Sequence, residues 1–404
     1  MARLATNGFE QWAASDPAAA LAQLRALDAR LAALEVALGG GVSVIASLGQ
    51  VDSSLVLGLL VQAITSTSRL FASVMMHCSA DGLPDFVRAH ECAQLVLAIN
   101  AATRSTGGEV VEGPLAGAPF CFKIAITCGL GAGSPFFPGA YAPPLGEDAL
   151  RVSPAGSAWR TPAFAFACEN SDLLVTAFSR ARALADPGAS PCARLSPQLG
   201  GTVLSAAKRE LEKEFGDAVG QLEALGLRLE RVCPGVTFAG TDSSVASAAR
   251  PEDSLVVAFE AVGLGPFGGA GTLALCALVT GVLKQLPFRL VGYCGLMLPQ
   301  TEDTGLAQLA ARGALPISSL LLNSAVCGTG IDTVIVPAGA SAEQLAALYC
   351  DVASMSARLK KPLSARVWPA AAAPNPLDPV LFSCPFFVDS AALPLDPPVA
   401  EGLR

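Results

Sequence analysis

The sequence VCGTGIDTV, at residues 326–334, brings two glycines, a cysteine and an aspartate into one short turn directly ahead of a strand. The strand is predicted over residues 333–336, which are β-branched throughout, and Pro337, Ala338 and Gly339 stop it. This pattern is typical of a buried strand that enters a turn. Because glycines let a backbone come close to a bound molecule, a ligand site can be built at this turn.

A helix and a second strand are predicted directly after the turn. Ser341 and Gln344 have the spacing of a capping box, and apolar residues then recur at helical intervals from Leu345 to Leu359. The second strand covers residues 365–368. The order of turn, strand, helix and strand predicts an α/β unit whose exposed turn is a usual place for a ligand.

The composition describes a globular chain with an acidic balance. Of its 404 residues, 52% are hydrophobic and 15% are charged, which suffices for a large core and excludes a disordered chain. The net charge is -8 and the pI is about 4.9, without clusters of Lys and Arg. Nucleic acid is therefore not expected as a partner, since binding to phosphates depends on such clusters.

The cysteines and the N-terminus indicate a reducing compartment. The twelve cysteines are scattered through a long chain with no CxxC pair, so they are predicted to be reduced thiols. The N-terminal segment contains the acidic residues Glu10 and Asp16 and has no apolar core of the kind found in signal peptides. A cytoplasmic protein is therefore expected.

One apolar stretch, residues 261–283, is long enough to cross a bilayer, which takes about 20 residues. Several glycines and Pro266 interrupt its first half, so only residues 272–283 are predicted to be helical. This is the length of a buried core helix, and no membrane partner is expected.

Strands and helices alternate along the rest of the chain. Further strands are predicted at 42–48, 70–76, 120–128, 236–239 and 288–293, and further helices start at Asp16-Pro17, at Asp52 or Ser53, and over 84–102 and 202–225. Residues 1–368 are predicted to form a single α/β domain, with Gly- and Pro-rich loop insertions at 129–162 and 186–201. Residues 369–404 are predicted to form a Pro-rich tail that packs on this body.

Cys327 is the first candidate for chemistry, as a catalytic thiolate in the Gly-rich turn. Such a thiolate needs a base or a positive field to lower its pKa, and neither is near it in the sequence. The alternative is a small buried residue in a tight turn. Gly328, Gly330 and Asp332 of the same turn are candidates for binding a ligand.

Carboxylates near strand ends form a second group of candidates. Glu302 and Asp303 follow an apolar strand and can act as catalytic acid and base or hold a divalent cation. The alternative is a helix start that Thr301 caps and whose dipole the acids favour. Asp242 and Asp253 are candidates for binding a ligand, with an Asx turn as the alternative for Asp242.

Two further sets of residues suggest a ligand. The first set contains both histidines of the chain and consists of His77, Cys78, His90 and Cys92. Zinc accepts these ligand types, but their spacing matches no usual structural zinc pattern. The second set is Gly268 and Gly269, in a Gly-rich loop ahead of a helix at Thr272, where free backbone N–H groups can bind an anion. This loop is neither a Walker loop nor a dinucleotide fingerprint.

Several motifs follow one another in an order that is typical of one protein family. They lie at residues 238–242, 252–254, 260–264, 298–305 and 327–333, with the Gly-rich turn into Thr272 between them and a weaker likeness at 134–140. They resemble the domain-of-unknown-function family seven-hundred-eleven, and the likeness is good over 236–368. That family is similar in fold to pyruvate formate-lyase and other glycyl-radical enzymes. The resemblance implies a closed α/β barrel of this type with loops converging on a central site, and it implies no known reaction.

Departures from the family pattern bear on function. The family usually has a histidine where this chain has Gly269, and a Pro-Thr-Pro turn where this chain has residues 246–249, Ala-Ser-Ala-Ala. A glycyl radical is not expected, because those enzymes need a glycine after an Arg-Val start near the C-terminus, whereas Arg366-Val367 runs into Trp368-Pro369. The chain is therefore expected to be a divergent member.

Two functions are consistent with these features. The first is a cytoplasmic barrel that binds a small anionic metabolite, alone or with a divalent cation, through the carboxylates and glycines named above, with catalysis retained or lost. The alternative is a non-catalytic structural or interaction subunit of a larger protein assembly. The missing histidine, the altered turn and the Pro-rich loops favour this alternative. The sequence identifies no cofactor and no particular protein partner.

Overall fold

The computed structural model describes residues 1–6, 9–13, 16–103, 107–142, 162–184, 203–247 and 249–396. The loop insertion predicted at 186–201 lies outside these residues. So do most of the insertion predicted at 129–162, Ala248 and the end of the tail.

Strands and helices alternate along the first part of the chain. They are β1 (Ala2–Ala5), α1 (Glu10–Ala13), α2 (Pro17–Ala37), β2 (Val44–Val51), α3 (Leu57–Thr65), β3 (Leu70–Met76), α4 (Phe86–Ala102) and β4 (Ile124–Cys128). In α2, the Asp16 side chain accepts a hydrogen bond from Ala19 N, and Pro17 occupies the first helical turn, as predicted. Every residue of β2 is buried, which is typical of a strand covered on both faces.

The remaining elements are richer in helix. They are β5 (Ala163–Glu169), α5 (Ser171–Leu184), α6 (Val203–Val232), β6 (Thr237–Ala246), α7 (Leu255–Ala261), α8 (Thr272–Lys284), α9 (Thr304–Ala311), α10 (Ile317–Ser324), β7 (Gly330–Pro337), α11 (Ala342–Leu359), β8 (Leu363–Ala370), β9 (Pro379–Val380) and β10 (Ser390–Ala391). The capping box of Ser341 and Gln344 at the start of α11 is confirmed, with both of its hydrogen bonds present.

The main sheet has six described strands in the order β1-β2-β3-β4-β8-β7. Its neighbours run parallel, except for the antiparallel pair of β4 and β8. A second, parallel pair consists of β5 and β6. The predicted α/β class is thus confirmed with a mainly parallel central sheet, which hydrogen bonds between the described strands do not close into a ring.

Residues 289–299, which we call the joining segment, lie between β6 and β7. Single bridges connect Leu290 and Leu296 to β6, and a third connects Pro299 to Asp332 of β7. The strand predicted at 288–293 does not form a regular strand, because Tyr293 N and Cys294 N donate to the Asp242 carboxylate instead of to a strand.

Other predicted boundaries also shift for physical reasons. The strand predicted at 236–239 continues through Asp242 to Ala246, paired with β5. Helix α6 continues past Gly226, where the ring of Phe238 packs so closely that a Cβ would come within 2.6 Å of it. Residues 120–123 form a 3-10 turn ahead of β4, in which the buried Lys123 donates to the carbonyls of Ile64 and Thr67.

The tail contacts the body through its backbone and its aromatic side chains. Val388 N donates to Thr301 O at 2.8 Å, and Leu393 N donates to Ile335 O at 2.8 Å. The ring of Phe387 lies with its centroid 4.8 Å from that of Phe122. Among the described residues, no helix is long and apolar enough to cross a membrane, and α8 begins only at Thr272.

The glycines of the turn at residues 326–330 allow two backbone segments to approach each other closely. Gly328 N donates to Leu296 O at 2.6 Å. A Cβ on Gly328 would stand 2.7 Å from the carbonyl carbon of Gly295, and a Cβ on Gly330 would stand 2.3 Å from Ser364 O. The turn therefore fixes the joining segment and β8 against β7.

We expect the substitution Gly328→Ala to lower the free energy of unfolding by about 1–3 kcal/mol, because backbone atoms must move to admit the methyl group. Urea unfolding followed by circular dichroism measures this change. The control is Gly339→Ala, where a Cβ meets nothing within 4 Å, and it is expected to change stability by less than about 0.5 kcal/mol. Equal effects of the two substitutions would contradict the packing role of Gly328.

Candidate functional site

A cavity of about 170 Å³ lies where the two sheets and the joining segment meet. Each strand from β1 to β8 contributes at least one lining residue: Arg3, Ile45, Phe71, Ala125, Glu169, Ala246, Asp332, and Ser364 with Arg366. The joining segment adds Tyr293, Met297 and Pro299. Side chains that are far apart in the sequence therefore face one space.

Arg366 is the central polar group of the cavity wall. Its Nε donates to Asp332 Oδ1 at 2.7 Å, and its Nη2 donates to Glu302 Oε1 at 2.9 Å. The guanidinium also lies 4.5 Å from the centroid of the Phe122 ring. Although burial lowers the pKa of Arg366, this pKa lies above its ordinary value because Asp332 and Glu302 stabilise the charge.

Glu302 lines the cavity with one oxygen bound to Arg366. Burial, with smaller contributions from Asp332 and Glu169, raises the pKa of Glu302 to about 7, although Arg366 and Arg3 oppose the rise. Asp332 already supplies a negative charge to Arg366, so Glu302 is the second acid on one cation. A carboxyl group with such a pKa can gain or lose a proton near neutral pH.

Arg3 is a cation that faces the cavity without an ion pair among the described residues. Its Nη1 donates to the carbonyl of Pro135 at 3.2 Å. The guanidinium carbon lies 5.7 Å from the ring centroid of Phe136 and 5.9 Å from that of Phe137. Burial among these groups lowers the pKa of Arg3, and Glu169 and Glu302 oppose this shift. By its accessible surface Arg3 is nevertheless an exposed residue, and its hydrogen bond to Pro135 is exposed as well.

The rest of the lining is largely apolar. Its rings are those of Phe71, Phe122, Phe136, Phe137 and Phe386. Four residues with hydroxyl groups interrupt this surface, namely Ser247, Tyr293, Thr329 and Ser364. Tyr293 OH donates to Ser364 Oγ at 3.3 Å. Burial raises the pKa of Tyr293, so this phenol stays a neutral hydrogen-bonding group. The lining therefore suits a molecule with one polar end and one apolar end.

Of the residues predicted for the site, only Glu302 and Asp332 line this cavity. Asp303 instead accepts hydrogen bonds from Ser247 Oγ, Ser254 Oγ, Leu255 N and Leu306 N. It is the N-cap of α9, so the prediction that Thr301 caps this helix is wrong. The Thr301 hydroxyl donates to Thr333 O.

The other predicted carboxylates and glycines lie elsewhere. Asp242 is buried in β6, and its carboxylate accepts from Ser244, Tyr293 N and Cys294 N. Asp253 pairs with Arg250 at 2.5 Å. Gly268 N donates to Thr272 Oγ1, and Gly269 N donates to Pro266 O, so these two amides have partners within their own loop.

Cys327 is fully buried in the apolar core and is not one of the cavity-lining residues. Lys361, a cation that the sequence spacing did not reveal, donates from Nζ to the carbonyl of Cys327 at 2.6 Å. The catalytic role of Cys327 stays a prediction.

The set of histidines and cysteines does not come together as metal ligands among the described residues. His77 Nε2 lies 2.5 Å from Asp52 Oδ1, and His90 Nε2 lies 3.0 Å from Gln94 Nε2. Cys92 is buried in the core.

Sequence reasoning missed Arg3, Glu169, Tyr293, Ser364 and Arg366. Arg366 did carry a signal, because it is a charged residue within a strand of otherwise apolar and small residues, and a buried charge needs partners. Arg3 and Glu169 carried none, since β1 and β5 were not predicted.

Comparisons with known proteins relate the whole body of the chain to one family. A family model described as "Uncharacterised ACR (DUF711)" matches residues 1–375. The UPF0210 protein of Desulforudis audaxviator is 28% identical over 360 residues, which are 86% of this chain and 69% of that protein. The UPF0210 protein of Pyrobaculum arsenaticum is 34% identical over 174 residues, 42% of this chain and 37% of that protein. A UPF0210 protein of Pyrobaculum aerophilum is 37% identical over 139 residues, which are 31% of that protein. The chain therefore matches about a third of the length of each of these two Pyrobaculum relatives.

The two N-cap aspartates Asp303 and Asp16 allow a matched test of the structural role of Asp303. We expect Asp303→Ala to lower the free energy of unfolding by at least about 3 kcal/mol, because several buried donors lose their acceptor at about 1–3 kcal/mol each. Asp16→Ala removes one exposed cap and is expected to cost about 1 kcal/mol. Chemical denaturation of both variants measures the difference, and a fully stable Asp303→Ala protein would contradict this assignment.

Proposed function

This chain belongs to the DUF711 family, as its motifs predicted. We propose that its cavity binds a small organic anion through Arg3 and that Glu302 takes up a proton as the anion binds. The observation that carries the proposal is that Arg3 and Glu302 line one cavity. Arg3 offers guanidinium donors that no described carboxylate engages. Glu302 offers a carboxyl group that titrates near neutral pH.

The charges of the lining determine how an anion can be accepted. Arg3 and Arg366 are positive, whereas Glu169, Glu302 and Asp332 are acids. With Glu302 ionised, the side chains of the lining carry one excess negative charge. At an effective dielectric constant of about 20, two like charges 5 Å apart repel by about 3 kcal/mol. A proton on Glu302 removes this excess, so binding of an anion is coupled to protonation of Glu302.

The size and the lining of the cavity limit the ligand. Apolar cavities of about 150 Å³ accept a molecule of the size of benzene. The present cavity, at about 170 Å³, therefore has room for one ring or a branched alkyl group beside a short acidic arm. The phenylalanine rings cover the apolar part, and Arg3 binds the acidic end. This assignment makes the ligand an amphipathic acid of low mass.

A divalent cation is not part of this proposal. Glu302 and Asp332 both bind Arg366, which occupies the place that a cation would need. Among the described residues, no three His, Cys, Asp or Glu side chains come together as a ligand group.

We also propose that the two sheets and the joining segment form a barrel of the pyruvate formate-lyase type, which is open between β1 and β5. Neighbouring strands lie about 4.8 Å apart, so in a flat sheet β1 and β7 would be separated by about 24 Å. Arg3 of β1 and Asp332 of β7 nevertheless line the same small cavity. Strong curvature of the sheet around the cavity accounts for this.

A cytoplasmic location and a place in a larger assembly stay predictions. The eleven described cysteines are free thiols, which fits a reducing compartment. The side chains of Leu83, Phe86 and Val87 are 61%, 68% and 73% exposed at the start of α4, and these apolar residues fit the alternative of an interaction subunit.

We expect Arg3→Met to weaken binding of 3-phenylpropanoate by about 10- to 100-fold, because a charge-assisted hydrogen bond contributes about 1.5–3 kcal/mol. Isothermal titration calorimetry at pH 6.5 measures the dissociation constants. The control is Arg30→Met on the exposed face of α2, which is expected to leave the affinity unchanged. Equal affinity of the Arg3→Met and wild-type proteins would contradict the role of Arg3.

We expect the affinity for 3-phenylpropanoate to rise about tenfold as the pH falls from 8 to 6, because the protonated fraction of a group with a pKa of about 7 rises about tenfold over this range. The affinity rises towards low pH because Glu302 becomes neutral below its raised pKa, and an anion binds more tightly beside the neutral form. The variant Glu302→Gln is permanently neutral there and is expected to bind with little pH dependence. A flat profile for the wild type would contradict proton coupling at Glu302.

A further inference from the structure

Glu169 is the cavity-lining carboxylate that no guanidinium engages among the described residues. It is the last residue of β5 and lines the cavity. Glu302 and Asp332 are both held by Arg366. A positive group that enters the cavity therefore finds its free partner at Glu169.

Glu169 and Arg3 line the same cavity, and both residues are exposed to solvent. Of the charges that act on the pKa of Arg3, that of Glu169 has the largest effect, and it opposes the lowering by burial. They nevertheless form no ion pair within 4.0 Å. The described backbone atoms of β1 and β5 also form no hydrogen bonds with each other. A negative and a positive side chain thus line one cavity without forming an ion pair with each other.

The charge balance favours a ligand that brings both signs. A simple anion adds a second negative charge to lining side chains that already have an excess of one when Glu302 is ionised. A ligand with an anionic and a cationic group adds no net charge, and it can bind at neutral pH without protonation of Glu302. Its cation replaces the solvation that Glu169 loses when the cavity fills.

We propose that the ligand is a zwitterion of the α-amino-acid class, with its carboxylate on Arg3, its ammonium group on Glu169 and an apolar side chain among the phenylalanine rings. This inference rests on the proposed function, because it keeps Arg3 as the anchor of the acid. The volume of about 170 Å³ sets the side-chain size between those of leucine and phenylalanine. The rings of Phe71, Phe122 and Phe137 provide the apolar wall.

Three probes with the same phenyl ring differ in their charged groups. L-phenylalanine carries both charges, 3-phenylpropanoate only the negative one and 2-phenylethylamine only the positive one. Calorimetric titration of the full chain at pH 7.5 is expected to give at least tenfold tighter binding of phenylalanine than of either singly charged probe. In Glu169→Gln, phenylalanine is expected to lose at least tenfold, whereas 3-phenylpropanoate binds as well as before or more tightly. Asp172→Asn, which changes an exposed acid three residues away, is the control and is expected to match the wild type.

The possible outcomes distinguish this inference from the proposed function. Equal binding of phenylalanine and 3-phenylpropanoate overturns the zwitterion and keeps the anion site. Absence of binding by all three probes contradicts both. If Glu169→Gln weakens both acids equally while its unfolding midpoint matches the wild type, Glu169 does not recognise an ammonium group and the inference fails.

Discussion

The ion pairs of Arg366 are the constraint on which the rest of the site depends. The residue is 7% exposed in the middle of β8, and a guanidinium at such a position is strongly destabilising unless it is paired. Asp332 on β7 and Glu302 beyond the joining segment supply the pairing, and Phe122 covers the face of the guanidinium. One side chain therefore fixes β7, β8 and the start of α9 relative to one another.

The same ion pairs act on the charge of the cavity wall. Burial raises the pKa of Glu302 to about 7, with a smaller contribution from Asp332, and the Arg366 guanidinium limits this rise. Arg3 lines the same cavity and forms no ion pair with a described residue. The cavity wall thus contains a carboxyl group that titrates near neutral pH and a guanidinium without an ion pair among the described residues.

The sequence predicted the regular parts of this arrangement better than its contacts. The apolar run Leu70–Met76 forms the predicted strand because its pattern needs no tertiary partner to be recognised. The strand predicted at 236–239 is shorter than β6, which continues to Ala246. The polar residues after Gly240 are typical of a turn, and only pairing with β5 makes them part of a strand. Asp303 was predicted beside Glu302, yet one points to helix amides and the other to the cavity. Spacing along the chain does not distinguish these directions. The role of Arg366 likewise depends on its partners Asp332 and Glu302, which lie on other elements.

The most direct test is a crystal structure of the protein with L-selenomethionine, whose side chain lies within the size range of the cavity and whose selenium is located by anomalous scattering. We expect one selenium peak among the rings of Phe71, Phe122 and Phe137, with the ligand carboxylate within hydrogen-bonding distance of Arg3 and its ammonium group at Glu169. Ligand density with the carboxylate turned away from Arg3, or a selenium peak only outside the cavity, would contradict the proposed site.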